Sequence, residues 1–196
     1  LPLQLKTIFL QENYHEFEKI KELAKELGVE HRVDGSIFPR LDGNSDPLAH
    51  RLEPEQVARL NSFTFDNIEQ WRKIVEVRSQ IELPENVYSC GAAMNGCHVT
   101  SEGFLQPCIM VSDVKHSLLD GSFQEGWKNI LPVIWERKMV REHKCRQCKN
   151  LVFCDYCPAF FRLETGSENH VPDFLCQVAG LMSAEMQNFE KKSTLA

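Results

Sequence analysis

Residues 145–157 read Cys145-Arg-Gln-Cys148-Lys-Asn-Leu-Val-Phe-Cys154-Asp-Tyr-Cys157, which is two Cys-x-x-Cys steps separated by five residues. Each step curls the chain so that both of its sulfurs can bind one metal centre. The chain has eight cysteines, and none of them precedes position 90. The four outside this stretch are Cys90, Cys97, Cys108 and Cys176. The second half of the chain is therefore predicted to be a cysteine-rich, metal-binding region.

Three kinds of site use cysteines in such numbers. A disulfide framework does not suit an acidic chain of this length that shows no secretory signal. Two structural zinc sites are the second possibility, but zinc ribbons separate their Cys-x-x-Cys pairs by about 15–20 residues, and here the pairs are five residues apart. The third is a pair of [4Fe-4S] clusters, each of which takes four thiolates. The sequence favours two [4Fe-4S] clusters, with zinc as the alternative.

Composition and charge exclude several classes of function. The chain has 196 residues, of which 42% are hydrophobic and 26% charged, a balance typical of a globular protein with one domain or two small ones. A net charge of -6 argues against nucleic-acid binding, which needs a basic face. There is no run of about 20 apolar residues and no secretory signal, so we expect no membrane partner and a cytoplasmic location.

The beginning of the sequence predicts a strand, a helix and a second strand. Leu3 to Leu10 has the composition of a strand, and Asn13 with Glu16 resembles a capping box at the start of a helix that ends at Gly28. Val29 to Val33 follows as a strand, and the two strands should pair in parallel. Two strands alone do not make a stable sheet, and the sequence starts without Met. We therefore expect a preceding segment to complete a larger barrel or sheet.

A connection and two helices are predicted between this unit and the cysteines. Residues 39–47 are rich in turn formers, and Pro54 occupies a first-turn position of a short helix that runs to about Leu60. Asp66 with Glu69 is a possible cap for a further helix. Its predicted core stripe is Trp71, Ile74, Val75 and Arg78.

The spacing of the cysteines resembles the SPASM domain of radical S-adenosylmethionine (SAM) enzymes. The matching features are Gly103-x4-Cys108 and the block Cys145-x2-Cys148-x5-Cys154-x2-Cys157, followed by Cys176. The family has three residues between the last two cysteines of the block, where this chain has two. Residues 121–127, Gly-Ser-Phe-Gln-Glu-Gly-Trp, are similar to a stretch that these proteins often carry after the hairpin. The resemblance covers residues 88–180, and residues 3–52 are similar to the last strand-helix-strand of the radical SAM barrel.

The resemblance implies a fold, a domain division and two ligand sets. The fold class is α+β, with a partial (β/α) barrel piece and a small SPASM domain built from helices and a β-hairpin, which Cys97 to Cys108 should form by turning at residues 101–103. The barrel piece covers residues 1–52, a helical linker 53–86, the SPASM domain 87–182 and a C-terminal helix or tail 183–196. Auxiliary cluster I takes Cys90, Cys97, Cys108 and Cys157. Auxiliary cluster II takes Cys145, Cys148, Cys154 and Cys176.

The activity implied by the resemblance is that of a peptide or protein maturase, an oxidoreductase whose auxiliary clusters serve electron transfer or structure. Radical SAM cleavage uses a third [4Fe-4S] cluster held by a Cys-x3-Cys-x2-Cys triplet, which this sequence lacks. We therefore expect SAM and the third cluster only in an intact enzyme, with a peptide or protein substrate and an electron donor such as flavodoxin or ferredoxin. The alternative is a standalone zinc or iron-sulfur module that docks a peptide or a partner enzyme.

No catalytic acid, base or SAM-binding residue can be assigned from the sequence. Asp113, Asp155 and Tyr156 are possible substrate contacts, but no carboxylate pair or nucleophile-base arrangement follows from their spacing. Eight thiolates leave the nearby histidines without a necessary role as ligands. We expect surface or supporting positions for His98, His116, His143 and His170.

Overall fold

The computed structural model of the chain describes residues 2–63, 68–80, 83 and 85–193 and has a mixed helix and sheet architecture. Strand β1 (Gln4–Ile8) and strand β2 (Glu30–Asp34) flank helix α1 (Phe17–Glu26). The two strands pair in parallel from Gln4 opposite Glu30 to Ile8 opposite Asp34. This confirms the predicted strand-helix-strand unit and its parallel pairing.

The two ends of α1 differ in how well the sequence predicted them. At the N-terminus a 3-10 turn (Tyr14–Glu16) precedes α1, and the capping box is wrong because the Asn13 side chain faces the preceding strand. Its Oδ1 accepts the Leu10 N–H at 2.7 Å, and its Nδ2 donates to the Ile8 carbonyl at 3.1 Å. At the C-terminus Gly28 has a φ of 65°, a left-handed conformation that glycine adopts without strain, and the helix ends as predicted.

Two helices follow the connection. The segment from residue 35 is irregular up to a 3-10 turn (Asp46–His50), as the turn formers predicted. Helix α2 (Pro54–Phe63) begins at the predicted proline, and helix α3 (Ile68–Ser79) follows it. The proposed cap Asp66 lies outside the described residues. Within the predicted stripe Trp71 is buried, whereas Arg78 at the other end is exposed.

A three-stranded antiparallel sheet precedes the double Cys-x-x-Cys stretch. Strands β3 (His98–Val99) and β4 (Phe104–Gln106) form the predicted hairpin, which turns at Gly103 with a φ of 82°. Strand β5 (His116–Ser117) pairs with the other edge of β4 and was not predicted. The hairpin separates Cys97 and Cys108, which lie just outside its two strands.

The rest of the chain is helical with short turns. A one-turn helix α4 (Phe123–Glu125) continues into a π turn (Gly126–Ile130) and a 3-10 turn (Leu131–Glu136). Helix α5 (Pro158–Thr165) and helix α6 (Asp173–Ser193) complete the fold, and α6 runs without a break through position 182. In the described part of the chain, no helix combines the length and apolarity needed to cross a membrane.

One large core joins the first strands to the cysteine-rich region. Phe9, which follows β1, belongs with Leu52 and Trp71 to the same buried cluster as Cys145 and Phe161. A second core underlies the three-stranded sheet, and Cys157 contacts both cores. Cys157 thus lies where the two apolar clusters meet.

The glycines at positions 121 and 126 make room for a histidine. A Cβ atom at Gly121 would lie 2.4 Å from His116 Nε2, and one at Gly126 would lie 2.7 Å from His116 Cδ2 and 2.9 Å from Leu105 Cδ2. His116 therefore packs directly against the backbone of this segment. The close approach explains why both positions lack a side chain.

We expect Gly126→Ala to destabilise the protein by about 1–3 kcal/mol, because the new methyl group overlaps the His116 ring and Leu105. The matched control is Gly180→Ala in α6, where the nearest atom to a new Cβ is 3.6 Å away. There alanine should stabilise by about 0.5–1 kcal/mol through its higher helix propensity. Urea denaturation of both variants measures the difference, and equal stabilities would contradict the packing of His116.

Candidate metal centre

All eight cysteines lie in the described part of the chain, and all are free thiols. Cys145 is in a 3-10 turn (Lys144–Gln147), and Cys148 follows that turn. Cys154 follows a second turn (Leu151–Phe153), Cys157 is the N-cap residue of α5, and Cys176 lies in α6. The cysteines of the double Cys-x-x-Cys stretch therefore lie in or next to short turns, and three of them, Cys145, Cys154 and Cys157, contact the large core.

Cys145, Cys148, Cys154 and Cys176 form one group, called group II here. Burial raises the pKa of Cys154 to about 12, and the neighbouring thiols of Cys145, Cys176 and Cys148 add to the increase. Burial likewise raises the pKa of Cys145 to about 11, with contributions from Cys148 and Cys176. These four sulfurs are therefore close enough to affect one another's charge.

Cys90, Cys108 and Cys157 form a second group, called group I here. Burial raises the pKa of Cys157, and the nearby Cys108 and Cys90 add to it. Burial also raises the pKa of Cys108, with a further contribution from Cys90. The fourth expected member, Cys97, is exposed and follows a closed turn in which the Gly96 N–H donates to the Gly91 carbonyl at 3.2 Å. That turn brings Gly96, the neighbour of Cys97, back to Gly91, the neighbour of Cys90.

The two groups cross one another along the sequence. Cys157 lies with Cys90 and Cys108, although Cys154 is only three residues away and belongs with Cys145. Group II has the four members expected for auxiliary cluster II, and three of the four expected for auxiliary cluster I are together in group I. Ligation itself stays a prediction.

The donor chemistry fits iron-sulfur clusters. Most thiols of each group lie against apolar core, as do the ligands of thiolate-bound clusters, whereas Cys148 of group II and Cys90 of group I are exposed. In residues 2–63, 68–80, 83 and 85–193, no three His, Cys, Asp or Glu side chains are arranged to hold a single metal ion. The fit therefore rests on which thiols are neighbours and not on a completed coordination sphere.

The His143 side chain binds the backbone of the 3-10 turn that carries Cys145. Its side chain is buried, and its Nδ1 accepts the Cys145 N–H at 3.2 Å. Burial lowers the pKa of His143, and the charges of Arg146 and Lys144 lower it further. A neutral ring keeps Nδ1 available as an acceptor. His143 thus has the supporting position expected from the sequence, whereas His116 is held by the glycines described above.

A cleft of about 290 Å³ lies between the two groups. One thiol of each group, Cys90 and Cys154, lines it together with Asp155, Tyr156 and Arg78. Burial raises the pKa of Asp155, and Arg78 opposes the increase. Two of the three possible substrate contacts named from the sequence therefore line one cleft.

The third, Asp113, belongs to an ion-pair network that the sequence did not reveal. Its carboxylate accepts from Arg137 Nη2 at 2.7 Å and pairs with Arg162 Nη1 at 2.7 Å. Arg137 also pairs with Glu168, which accepts from the Tyr88 hydroxyl at 2.8 Å. Burial would raise the pKa of Asp113, but the two arginines outweigh it and lower the pKa. The Asp113 carboxylate is thus paired with two arginines and has a structural role.

No protein-family model matches this chain, and a search of curated proteins finds no significant relative. The function must therefore be argued from the arrangement of the thiols and from the sequence pattern.

We expect alkylation of the metal-free protein to follow burial and pKa. Near neutral pH the exposed Cys90, Cys97 and Cys148 should react first with iodoacetamide, because only the thiolate is nucleophilic and access is open. Cys154 and Cys145, with pKa values of about 12 and about 11, should react last, and their rates should rise as the pH approaches these values. Peptide mass spectrometry measures the order. Equal rates for Cys148 and Cys154 in the folded protein, as expected in urea, would contradict it.

Proposed function

We propose that this chain is the auxiliary-cluster region of a radical SAM enzyme that modifies a peptide or protein, and that its thiols hold two [4Fe-4S] clusters. The single observation that supports this most is the crossing of groups I and II at Cys154 and Cys157. Adjacent Cys-x-x-Cys pairs that served one site would place these two thiols together. Crossed sets fit the ligand arrangement of the SPASM family instead.

The proposed role of the clusters is electron transfer, with a structural contribution. When bound, a [4Fe-4S] cluster with four thiolate ligands exchanges single electrons and leaves no iron open to a substrate. The chain's own residues shield some of the thiols from water, since Cys145 is buried and Cys154 and Cys157 pack against the large core. The cleft lined by Cys90 and Cys154 lies between the two sites.

The substrate and the partners in this proposal come from the resemblance. The intact enzyme would bind SAM at a third cluster, use a 5′-deoxyadenosyl radical to abstract hydrogen from a peptide or protein side chain, and receive electrons from a flavodoxin or ferredoxin. A cytoplasmic location belongs to the same proposal.

Metal and sulfide analysis of protein purified without oxygen tests the proposal. We expect about eight irons with equal sulfide and a broad absorbance near 400 nm, about the pattern of two all-cysteine cubanes. About two zinc ions without sulfide would instead indicate two structural zinc sites and a binding module that docks a peptide or a partner enzyme. Protein with neither metal after anaerobic reconstitution would contradict both.

A further inference from the structure

A hollow of about 440 Å³ lies on the surface beside Cys148, the exposed thiol of group II. Its wall carries three basic side chains, which belong to Arg78, Arg146 and Lys149. Among the described residues that line it, none carries a carboxylate. This surface is called the basic hollow here, because its wall has positive charge without a negative counterpart.

The three cations of the basic hollow are not used in the ion pairs of the fold. All three are exposed, and no carboxylate pairs with them in the described part of the chain. The partly buried Arg51 and Arg137, in contrast, each pair with a carboxylate. Carboxylates are not scarce, since the chain has 28 acidic and 22 basic side chains. The hollow is thus a positive concave surface on an acidic protein, which attracts an anion.

Arg78 joins the basic hollow to two further spaces. It lies on α3, and its Nη1 donates to the Val152 carbonyl at 3.2 Å. It also lines the cleft of about 290 Å³ described above and a third space of about 330 Å³. Leu83 and Leu151 line both the hollow and the cleft. The hollow and the cleft therefore adjoin, and one extended ligand can occupy both.

Asp155 limits where a ligand can carry negative charge. It lines the cleft and the third space but not the basic hollow. Its carboxyl group disfavours an anion in the cleft, where Tyr156 and the two leucines offer contacts to a neutral side chain. A ligand that fits both spaces thus has an acidic group in the hollow and a neutral group beside it.

A peptide meets this requirement better than other anions do. A small inorganic anion would occupy only the hollow and leave the cleft unused. A nucleic acid carries a phosphate at each nucleotide, so its next phosphate would approach Asp155. A peptide can place an acidic side chain next to an apolar one, and carboxylates pair well with guanidinium groups.

We propose that the basic hollow binds an acidic side chain of the peptide or protein substrate, whose neighbouring neutral residue lies in the cleft. This inference rests on the proposed function for the nature of the ligand and adds the charge that the ligand carries. The bound peptide then lies across thiols of both groups, because Cys148 lines the hollow and Cys90 and Cys154 line the cleft.

Fluorescence anisotropy of the anaerobically reconstituted chain tests the inference with two labelled peptides. One alternates glutamate and leucine, and the other has glutamine in place of each glutamate. The acidic peptide should bind about 3- to 30-fold more tightly, as expected for two or three exposed charge pairs. Arg146→Gln/Lys149→Gln should remove most of that preference and leave the affinity for the glutamine peptide unchanged.

Two further variants separate this effect from damage and from net charge. Asp155→Asn should strengthen the binding of the acidic peptide, a change of opposite sign that a damaged fold would not produce. Lys19→Gln/Lys25→Gln removes the same net charge from α1, where the two lysines pair with Glu16 and Glu22, and should change neither affinity.

Alkylation of the metal-free chain locates the bound peptide. The acidic peptide should slow the reaction of Cys148 and Cys90 with iodoacetamide, because one thiol lines the hollow and the other lines the cleft. Cys97 is equally exposed but lines neither, so its rate should stay the same. The glutamine peptide should protect much less. If Arg146→Gln/Lys149→Gln does not fold, this protection and the effect of Asp155→Asn still decide the inference.

Several outcomes would overturn the inference. Equal affinities for the two peptides would do so, as would equal losses in Arg146→Gln/Lys149→Gln and in the α1 control. Protection of Cys97 as strong as that of Cys148 would place the peptide elsewhere. Inorganic phosphate that displaces the acidic peptide at a matching concentration would make the hollow a site for small anions.

Iron content is measured separately from peptide binding. Wild-type protein that holds about eight irons but does not distinguish the two peptides refutes the inference alone. Wild-type protein without iron refutes the proposed function, whatever the peptides do.

Discussion

Cys154 and Cys157 lie three residues apart, yet their replacement by serine should remove different clusters from the loaded protein. Cys145→Ser/Cys154→Ser should retain about four irons in the group I site. Cys90→Ser/Cys157→Ser should likewise retain about four, in the group II site. Cys154→Ser/Cys157→Ser also removes only two thiols, but it leaves three ligands at each site and should lower the iron content of both clusters.

The physical reason is the crossing of the chain between the two groups. The pKa of Cys154 is raised by burial and then by Cys145, Cys176 and Cys148, and that of Cys157 is raised by burial and then by Cys108 and Cys90. Removing two of the four predicted ligands of one cluster leaves two, too few for a cubane, and spares the other cluster. Removing one thiol from each weakens both, because serine is a much poorer ligand for iron.

Iron and sulfide analysis after identical anaerobic reconstitution measures this pattern. Circular dichroism of each metal-free variant provides the control for folding. If Cys154→Ser/Cys157→Ser kept one intact cluster of about four irons and Cys90→Ser/Cys157→Ser lost iron from both sites, the two Cys-x-x-Cys pairs would serve one site and the assignment of groups I and II would be wrong.

The elements that the sequence predicted correctly carry local signals. Gly28 ends α1 and Gly103 turns the hairpin because each adopts a positive φ that other residues reach only with strain. Pro54 begins α2 for an equally local reason. The Cys-x-x-Cys step keeps Cys145 and Cys148 in one group, but Cys154 and Cys157 lie in different groups, so the spacing alone did not predict which thiols are neighbours.

The elements that the sequence missed depend on distant partners. Asn13 has the residue type of a cap, but its side chain instead bonds to the backbone of Ile8 at the end of β1 and of Leu10 just beyond it. Strand β5 has two residues, too few for a period of alternation to appear. Arg162 and Asp113 are 49 positions apart, so the chain folds them together without any pattern in their spacing.

Residues 121–127 combine a local sequence signal with a dependence on a distant partner. The sequence indicated only a resemblance between Gly121-Ser-Phe…Trp127 and a stretch of SPASM proteins. It did not reveal the reason, because the partner His116 lies on β5, which was not predicted. The position of the His116 ring explains both glycines, because a side chain at either position would overlap the ring.

Phe161 should be the most costly side chain to truncate near the metal centre. It has no exposed surface, and its ring packs edge-on against Tyr156 with centroids 5.1 Å apart. Its N–H donates to the Cys157 carbonyl at 3.0 Å, so the residue fixes the first turn of α5 beside a group I thiol. Phe161→Ala leaves that backbone bond in place but opens a cavity in the large core.

We expect Phe161→Ala to lower the free energy of unfolding by about 3–5 kcal/mol, the usual cost of a buried phenylalanine whose space is not refilled. Val77→Ala on α3 is the matched control, since Val77 is 68% exposed, and its effect should stay within about 0.5 kcal/mol. Urea denaturation of the metal-free chains measures both. Because Cys157 precedes α5, the cavity should also slow cluster uptake at group I more than at group II. A loss below about 1 kcal/mol would mean that neighbouring side chains collapse into the space, and that α5 does not depend on this contact to hold Cys157 in place.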